Sequence, residues 1–349
     1  MASIFFTGFP GFLGSELLPR VLARTDDEAV CLVQPKFRAL AEERAVRIAK
    51  WRIRIVEGDL TAPLDSIDAS NVRQIFHLAA VYDLGVSRDV GMRVNVNGTQ
   101  RVLDLAARAP RLERLHYVST CYVSGRHPGH FTEGDLEKGQ TFNNYYEETK
   151  HLAEVEVRRR MREIPATVYR PSVVVGDSTT GATQKFDGPY FVIQWLMRQP
   201  KLAVLPVVGR PSRYRFNVVP SDFIMRALDH LSSLKTNAGI TYALADPDPM
   251  TVDETIDTIA EATGRRVLRI PLTRGIAKGA LQHVPGVYRL LRIPAPAVDY
   301  FVHPTSYDTA NATRDLAAAG ITAPHFRDYA ARLVDFVRAH PEIGSAAMV

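Results

Sequence analysis

The chain has 349 residues, 46% of them hydrophobic, and its 43 Lys and Arg against 38 Asp and Glu leave a formal net charge of +5. That length is enough for a full core and two lobes. So small and dispersed an excess of base offers no face for nucleic acid, although an acidic acyl carrier or an anionic cofactor could use it.

Only two cysteines occur, Cys31 and Cys121, both in strand-like apolar contexts, so no disulfide framework is expected and a reducing compartment fits. The opening Ile4-Phe5-Phe6 lacks the basic and long apolar regions of a signal peptide. No run approaches the ~20 apolar residues that span a bilayer. A cytoplasmic protein without an integral membrane segment is expected.

The first half alternates short apolar strands with amphipathic stretches. Ile4–Phe6 reads as a strand, Gly14–Ala23 as a helix, Ala29–Val33 as a strand, Arg38–Ala49 as a helix, and Arg52–Val56 and Gln74–Leu78 as strands. Val94–Ala109 reads as a helix, Leu115–Val118 as a strand, Tyr145–Met161 as a long helix and Thr167–Tyr169 as a strand. The basic run Arg158-Arg159-Arg160 reads as a solvated helix end. Such alternation predicts crossover connections and an α/β, doubly wound parallel sheet of Rossmann type. Beyond Gly176, Pro and Gly become frequent and periodicity weakens, with helices expected at Tyr190–Arg198 and Asp253–Thr263. The expected division is a dinucleotide-binding domain over 1–175, to which 216–232 returns, and a smaller C-terminal substrate lobe over 176–349.

Gly8, Gly11 and Gly14, with Phe9, Pro10, Phe12 and Leu13 between them, follow the first strand directly. Glycine lets a strand-to-helix turn approach a pyrophosphate without a Cβ clash, and the helix that follows offers free N–H groups and its positive dipole end. At the end of the second strand, Val33-Gln34-Pro35-Lys36-Phe37-Arg38 holds no carboxylate to bind a ribose diol or repel a 2′-phosphate, while Lys36 and Arg38 can pair with one. NADP(H) is therefore favoured over NAD, against the alternative that both bases are solvated helix-start charges.

Tyr146 and Lys150 are four residues apart and share a helix face. An ammonium beside a phenol favours the phenolate and would bring the tyrosine from ~10 towards working pH. Such a phenol passes a proton to or from a carbonyl oxygen, Lys150 can also bind the nicotinamide ribose, and Thr120 supplies a hydroxyl to the same oxygen. Tyr145 and Ser119 are neighbours expected to face elsewhere. His77, His116 and His303 show no metal-ligand spacing, and no metal is expected.

These landmarks, with Gly58-Asp59-Leu60, His77-Leu78-Ala79-Ala80, Asn95-Val96-Asn97-Gly98-Thr99, Val118-Ser119-Thr120 and Tyr169-Arg170-Pro171-Ser172 in order, make the chain resemble an extended short-chain dehydrogenase/reductase along nearly its whole length. The resemblance implies that Asp59, next to Leu60, contacts the adenine. It implies that Ala79 and Ala80 line its ribose, that Asn95 orders the active site, and that Pro171 and Val173 lie near the nicotinamide. The Gly-rich turn, Ala80-Val81-Tyr82-Asp83-Leu84 and Arg170 to Asp177 further resemble the thioester-reductase and fatty acyl-CoA reductase branch. That branch uses NADPH to reduce acyl thioesters to aldehydes, and some members continue to alcohols. Gln34 departs from the arginine usual there, with Lys36 or Arg38 as substitutes. With no adenylation or carrier segment expected beside it, the resemblance implies an acyl donor supplied in trans. By analogy with relatives it also allows a homodimer.

Substrate specificity is expected in the C-terminal part. There Leu272–Ile293 mixes apolar residues with Lys278, Arg289 and Arg292, as a lid over a long-chain substrate, a membrane-touching surface or ordinary packing. The function expected is reduction of an acyl thioester or aliphatic aldehyde with Tyr146 as proton donor. The alternatives are a dehydrogenase of a bulky secondary alcohol or ketone, sterol- or flavonoid-like, and a non-catalytic dinucleotide-binding regulator. A sugar-nucleotide epimerase would want NAD and an acidic residue near Gln34.

Overall fold

The computed structural model describes residues 2–49, 51–276, 279 and 295–344. In chain order it contains β1 (Ser3–Thr7), α1 (Phe12–Ala23), β2 (Glu28–Val33), α2 (Arg38–Ala49), β3 (Ile53–Glu57), β4 (Val72–His77) and the single turn α3 (Arg88–Gly91). There follow α4 (Gly98–Ala107), β5 (Arg114–Val118), β6 (Gly129–Phe131), α5 (Tyr145–Arg160), β7 (Ala166–Pro171), β8 (Val173–Val175) and α6 (Tyr190–Met197). The remainder comprises β9 (Leu202–Val208), β10 (Val218–Pro220), α7 (Ser221–Ser233), β11 (Thr241–Leu244), α8 (Val252–Thr263), β12 (Arg266–Leu272), β13 (Thr305–Tyr307), α9 (Ala310–Ala317) and α10 (Phe326–Ala339).

Seven of these strands form one parallel sheet in the order β11-β7-β5-β4-β1-β2-β3. Its inner strands read as unbroken apolar runs because helices cover both faces: β1 and β5 are buried at every position. On one face, α1, α2, α7 and α9 pack over Phe6, Cys31, Phe76 and Tyr169. On the other, α4 and α5 pack over Phe5, Val30, Ile75 and Tyr117. The order reverses between β1 and β4, so their carboxyl ends open the crevice in which such sheets place ligands.

The last sheet strand and one cover helix come from the second half of the chain. β11 pairs with β7, and α7 lays Phe223, Ile224, Ala227 and Leu228 into the same core as Leu17, Leu18 and Val21 of α1. A separate core joins α6, α8, α10, β9 and β10 around Tyr190, Phe216, Ile259 and Leu333. In it, α8 is closed by a Thr251–Glu254 capping box at one end and left-handed Gly264 at the other.

Two local expectations are corrected. The helix read from Val94 begins as a π-turn over Met92–Asn97, and α4 starts only at Gly98. Of the basic run, Arg159 is solvated as expected, but Arg158 is largely covered: it pairs with buried Glu154 and donates to the Glu133 and Gly134 carbonyls, because the 133–134 segment packs against that side of α5. Among the described residues, no helix is long and apolar enough to cross a membrane. Residues 277, 278 and 280–294, which hold most of the Leu272–Ile293 stretch, lie outside the described residues.

Candidate active site

The turn after β1 is shaped by its glycines. Gly8 has φ +96°, and a Cβ there would meet Leu78 Cβ at 2.9 Å and the Ala79 nitrogen at 3.0 Å. A Cβ on Gly14 would lie 2.3 Å from the Gly8 carbonyl oxygen, so only glycine lets α1 start this close to the turn. Gly11 caps α1 without a side-chain acceptor, and the first turn holds no acid. Its first N–H groups are thus left for an anion. From α2, Arg44 braces the turn by donating to the Pro10 carbonyl at 2.5 Å and the Ser15 hydroxyl at 2.9 Å. Beneath it, the His77 ring joins Thr7 Oγ1 at 2.8 Å to Thr99 Oγ1 at 3.0 Å, and burial holds this ring neutral with a pKa of about 3.

The turn is one end of a cleft of about 540 Å³. Gly8 through Gly14, Gln34, Lys36, Asp59, Leu60, Ala79, Ala80, Thr120, Tyr146, Lys150, Pro171 and Val173 all line it. Gln34 donates to Asp59 at 2.6 Å. Burial raises the Asp59 carboxyl, but hydrogen bonds from Thr61 and Gln34 and the charge of Lys36 carry it below the usual range.

Two of the residues expected at the site do not line the cleft. Arg38 lies on the exposed surface, held by Glu42 at 2.7 Å and Glu57 at 2.6 Å, because α2 turns that side chain towards β3 and away from the cleft. Asn95 is buried behind the wall. Its Oδ1 accepts from the Val81 nitrogen at 2.9 Å and its Nδ2 donates to Thr149 at 3.0 Å, which fastens the loop after β4 to α5. Asn95 sits in the π-turn, the kind of irregularity that often re-aims a side chain at a functional site.

Asn144 caps α5 by accepting from the Glu147 nitrogen, and the helix carries Tyr146 and Lys150 along the floor of the cleft. The expectation that Lys150 would lower the Tyr146 phenol is overturned. The Lys150 ammonium points at β5, donating to Tyr117 Oη at 3.1 Å and the Val118 carbonyl at 2.8 Å. Burial therefore dominates, and it raises the Tyr146 pKa against a lowering hydrogen bond with Thr120. Burial also pulls Lys150 down to about 7, with Glu154 opposing. Burial thus favours the protonated phenol.

Thr120 lies two residues beyond β5 and caps the short turn that follows; it accepts from the Tyr122 nitrogen at 3.3 Å and donates to the Pro171 carbonyl at 3.4 Å. Its neighbour Ser119 is committed elsewhere, donating to Glu154 at 2.6 Å. Glu154 is fully buried between Arg170 at 2.6 Å and Arg158 at 3.1 Å. Burial raises its carboxyl, but the arginine charges prevail and keep it below its usual range. Tyr145 is 48% exposed and absent from the wall.

The sequence reading missed the opposite wall. Tyr82 meets Tyr146 edge-on at 5.0 Å, and Lys185 lies 4.4 Å over the Tyr82 ring while pairing with Asp187 at 3.1 Å. Phe191, Phe216, Tyr300 and Phe301 close the far end, with Tyr122 edge-on to Tyr300 at 4.6 Å. Tyr122 and Glu147 stand one or two positions from residues that were singled out, so adjacency was the available signal. Phe216 and Tyr300 had none. Ser172 Oγ is buried in the wall without a partner, a hydroxyl suited to a polar group of a bound molecule.

The glycine cradle, the uncapped start of α1 and the orphaned Ser172 hydroxyl fit a dinucleotide lying from Gln34 to Pro171. Fold and cradle define a Rossmann-type nucleotide-binding protein of the extended short-chain dehydrogenase/reductase kind. Residues 6–228 match the NAD-binding family model described as male sterility protein, and the chain belongs to that family.

Among curated proteins it is similar to a linear gramicidin synthase of Brevibacillus parabrevis, 29% identical over 77% of this chain and 6% of that protein. It is also similar to the fatty acyl-CoA reductase wat of Drosophila melanogaster, 25% identical over 64% of this chain and 53% of that one. The chain thus spans only a small part to about half of these relatives. Among solved structures, the terminal R domain of the myxalamid PKS-NRPS pathway superposes with a TM-score of 0.82 at 24% identity, covering 98% of this chain and 92% of that one. This last likeness bears on the fold.

Proposed function

We propose that this chain is an NADPH-dependent reductase of acyl thioesters and of the matching aliphatic aldehydes. The observation that carries the reading is the meeting of Thr120, Tyr146 and Lys150 in one cleft with the glycine cradle and the aromatic rings of Phe191, Phe216 and Phe301. The cradle suits a dinucleotide, the aromatic rings an acyl chain, and the hydroxyls a carbonyl oxygen. Similarity to a fatty acyl-CoA reductase and to a gramicidin synthase supports a thioester as the electrophile.

The bound cofactor supplies hydride. The N–H groups of the turn and of the start of α1 hold its pyrophosphate, Asp59 faces the adenine, and Ala79 and Ala80 leave room for the ribose. Lys36 lines the cleft beside Gln34 and takes the 2′-phosphate, while Arg38 remains with its two glutamates. Lys150 binds the nicotinamide ribose in place of its present contacts. Thr120 and Tyr146 donate to the carbonyl oxygen of the substrate, and the protonated phenol passes its proton as negative charge grows there. The carrier-bound or CoA-bound thiol extends out of the cleft towards solvent.

The experiment follows NADPH oxidation with medium- and long-chain acyl-CoA, acyl-carrier thioesters and aldehydes side by side. Consumption with thioesters supports the proposal in full, and consumption with aldehydes alone reduces it to aldehyde reduction. No consumption with any of them, while NADPH still binds, overturns it.

A further inference from the structure

Tyr146, Lys150 and Glu154 follow one another at four-residue steps and share one face of α5. Glu154 is fully buried and stands behind the cleft wall, so it touches neither substrate nor cofactor. Its two oxygens hold two strand ends. One accepts from the Ser119 hydroxyl at 2.6 Å and the other from Arg170 Nη2 at 2.6 Å, with Arg170 Nε shared between them at 3.1 Å. Ser119 directly precedes Thr120. Arg170, itself buried, directly precedes Pro171, whose carbonyl accepts from Thr120. One carboxylate therefore ties the helix that carries Tyr146 and Lys150 to both sides of the Thr120 hydroxyl.

We propose that Glu154 is a positioning residue, which aims Thr120 through Ser119 and Arg170 and is the anion that keeps the Lys150 ammonium charged. The inference rests on the roles given to Thr120 and Lys150 in the reductase reading above, and adds the group that holds both. The Lys150 ammonium donates to neutral oxygens, Tyr117 Oη at 3.1 Å and the Val118 carbonyl at 2.8 Å. A buried ammonium held only by neutral groups tends to lose its proton, and an opposite charge nearby keeps it. Glu154 lies one helical turn further on the same buried face and is that charge. Its link to Ser119, the residue after Val118, places the carboxylate on the same stretch of β5 and its extension that receives Lys150.

The surrounding charges set the sign of the effect. Near Glu154 stand Tyr117 of β5, Cys121 just beyond it, Arg170 of β7, and His151 and Arg158 of its own helix. Near Lys150 stand Tyr117 and the His77 ring at the end of β4, which burial holds neutral. The two arginines keep Glu154 ionised against its burial. Burial pulls Lys150 down to about 7, with Glu154 opposing. Without that carboxylate, burial acts on Lys150 unopposed, and the ammonium gives up its proton at lower pH. The charged lysine is the form that holds the ribose. The limb on which turnover falls as pH rises therefore moves down with it.

The test compares wild type with Glu154→Gln, which keeps the shape and removes the charge, and Glu154→Asp, which keeps the charge on a side chain one methylene shorter. The first readout needs neither cofactor nor substrate: NMR of protein with isotope-labelled lysine, read at the ε carbon, with Lys150→Met assigning the signal. The Lys150 signal is expected to titrate near 7 in wild type. Its midpoint should fall by at least about one unit in Glu154→Gln and stay within about half a unit in Glu154→Asp. The second readout is NADPH oxidation with whichever acyl-CoA or aldehyde the wild type consumes. Both variants are expected to lose roughly tenfold or more in turnover, because neither holds Ser119 and Arg170 as Glu154 does. Affinity for 2′-phosphoadenosine 5′-diphosphate, which fills the cradle and lacks the nicotinamide ribose, should stay within about twofold. Glu154→Gln leaves Arg170 buried without its counter-charge, whereas Glu154→Asp keeps that charge and guards against a folding defect. Any of three results overturns the proposal: an unmoved Lys150 midpoint in Glu154→Gln, full turnover in both variants, or a loss of fragment affinity as large as the loss of turnover. A wild type that consumes NADPH with no thioester or aldehyde overturns the reductase reading instead, and the lysine titration then decides the Glu154–Lys150 coupling by itself.

Discussion

At the cofactor end of the cleft, the wall is made by residues close together in the chain: Gly8 to Gly14 in one turn, and Tyr146 and Lys150 one helical turn apart. At the aromatic end, proposed for the substrate, Phe191 comes from α6, Phe216 from the segment before β10, and Tyr300 and Phe301 from a 3₁₀ stretch more than eighty positions later. The first end is a local device, in which strand, glycine turn and helix N-terminus each follow from short-range chemistry. The second is assembled by packing on a separate core. One end can therefore be damaged by a single Cβ, while the other should yield gradually as apolar surface is removed.

The largest effect is expected at the junction of the two ends. Tyr146→Phe should lower turnover by about 10²–10⁴-fold, the usual range for a positioned proton donor, with NADPH affinity unchanged by fluorescence titration. A small change in turnover would detach the chemistry from this tyrosine.

Next comes the local device. Gly14→Ala places a methyl 2.3 Å from the Gly8 carbonyl oxygen, so α1 must shift away from the turn. We expect dinucleotide affinity to fall at least about tenfold, or roughly 1.4 kcal/mol, with substrate selectivity among any remaining turnover unchanged. At the packed end, Phe216→Ala should raise KM for long acyl chains about tenfold, consistent with losing part of the ~1.5–3 kcal/mol of a buried aromatic, and leave KM for NADPH alone. If Phe216→Ala altered the cofactor constant as strongly, the division between the ends would fail.

The smallest effect separates two cations. Lys36→Ala should weaken NADPH by several-fold, within the ~0.3–1 kcal/mol expected of an exposed charge pair, and leave NADH unchanged. Arg38→Ala should alter neither cofactor, because Arg38 is occupied by Glu42 and Glu57. The reverse ranking in cofactor titrations would transfer the 2′-phosphate to Arg38.

The same division explains what could be read from the sequence. The parallel sheet was legible because its strands are continuous apolar runs between amphipathic helices, and the cradle because Gly8, Gly11 and Gly14 follow β1 without interruption. The i, i+4 spacing put Tyr146 and Lys150 on one face, but spacing does not say where an ammonium points. Tyr117, a residue of β5, decided that. Arg38 reads as a cofactor cation because it sits just past β2, yet the partner that claims it, Glu57, arrives with β3. β11 is a short strand, Thr241–Leu244, whose assignment to the sheet depends on β7 as its neighbour. Tyr300 reaches the cleft only through packing against Tyr122 and Asn144, contacts with no local pattern behind them.

The central claim is hydride delivery to a thioester carbonyl carbon in this cleft. Its most direct test is single-turnover reaction of the protein with an acyl thioester and NADPH carrying deuterium at the transferred position, followed by mass analysis of the products. The account predicts aldehyde with deuterium on the former carbonyl carbon, released together with free thiol and abolished in Tyr146→Phe. Aldehyde without deuterium, or unchanged thioester beside bound NADPH, would contradict it.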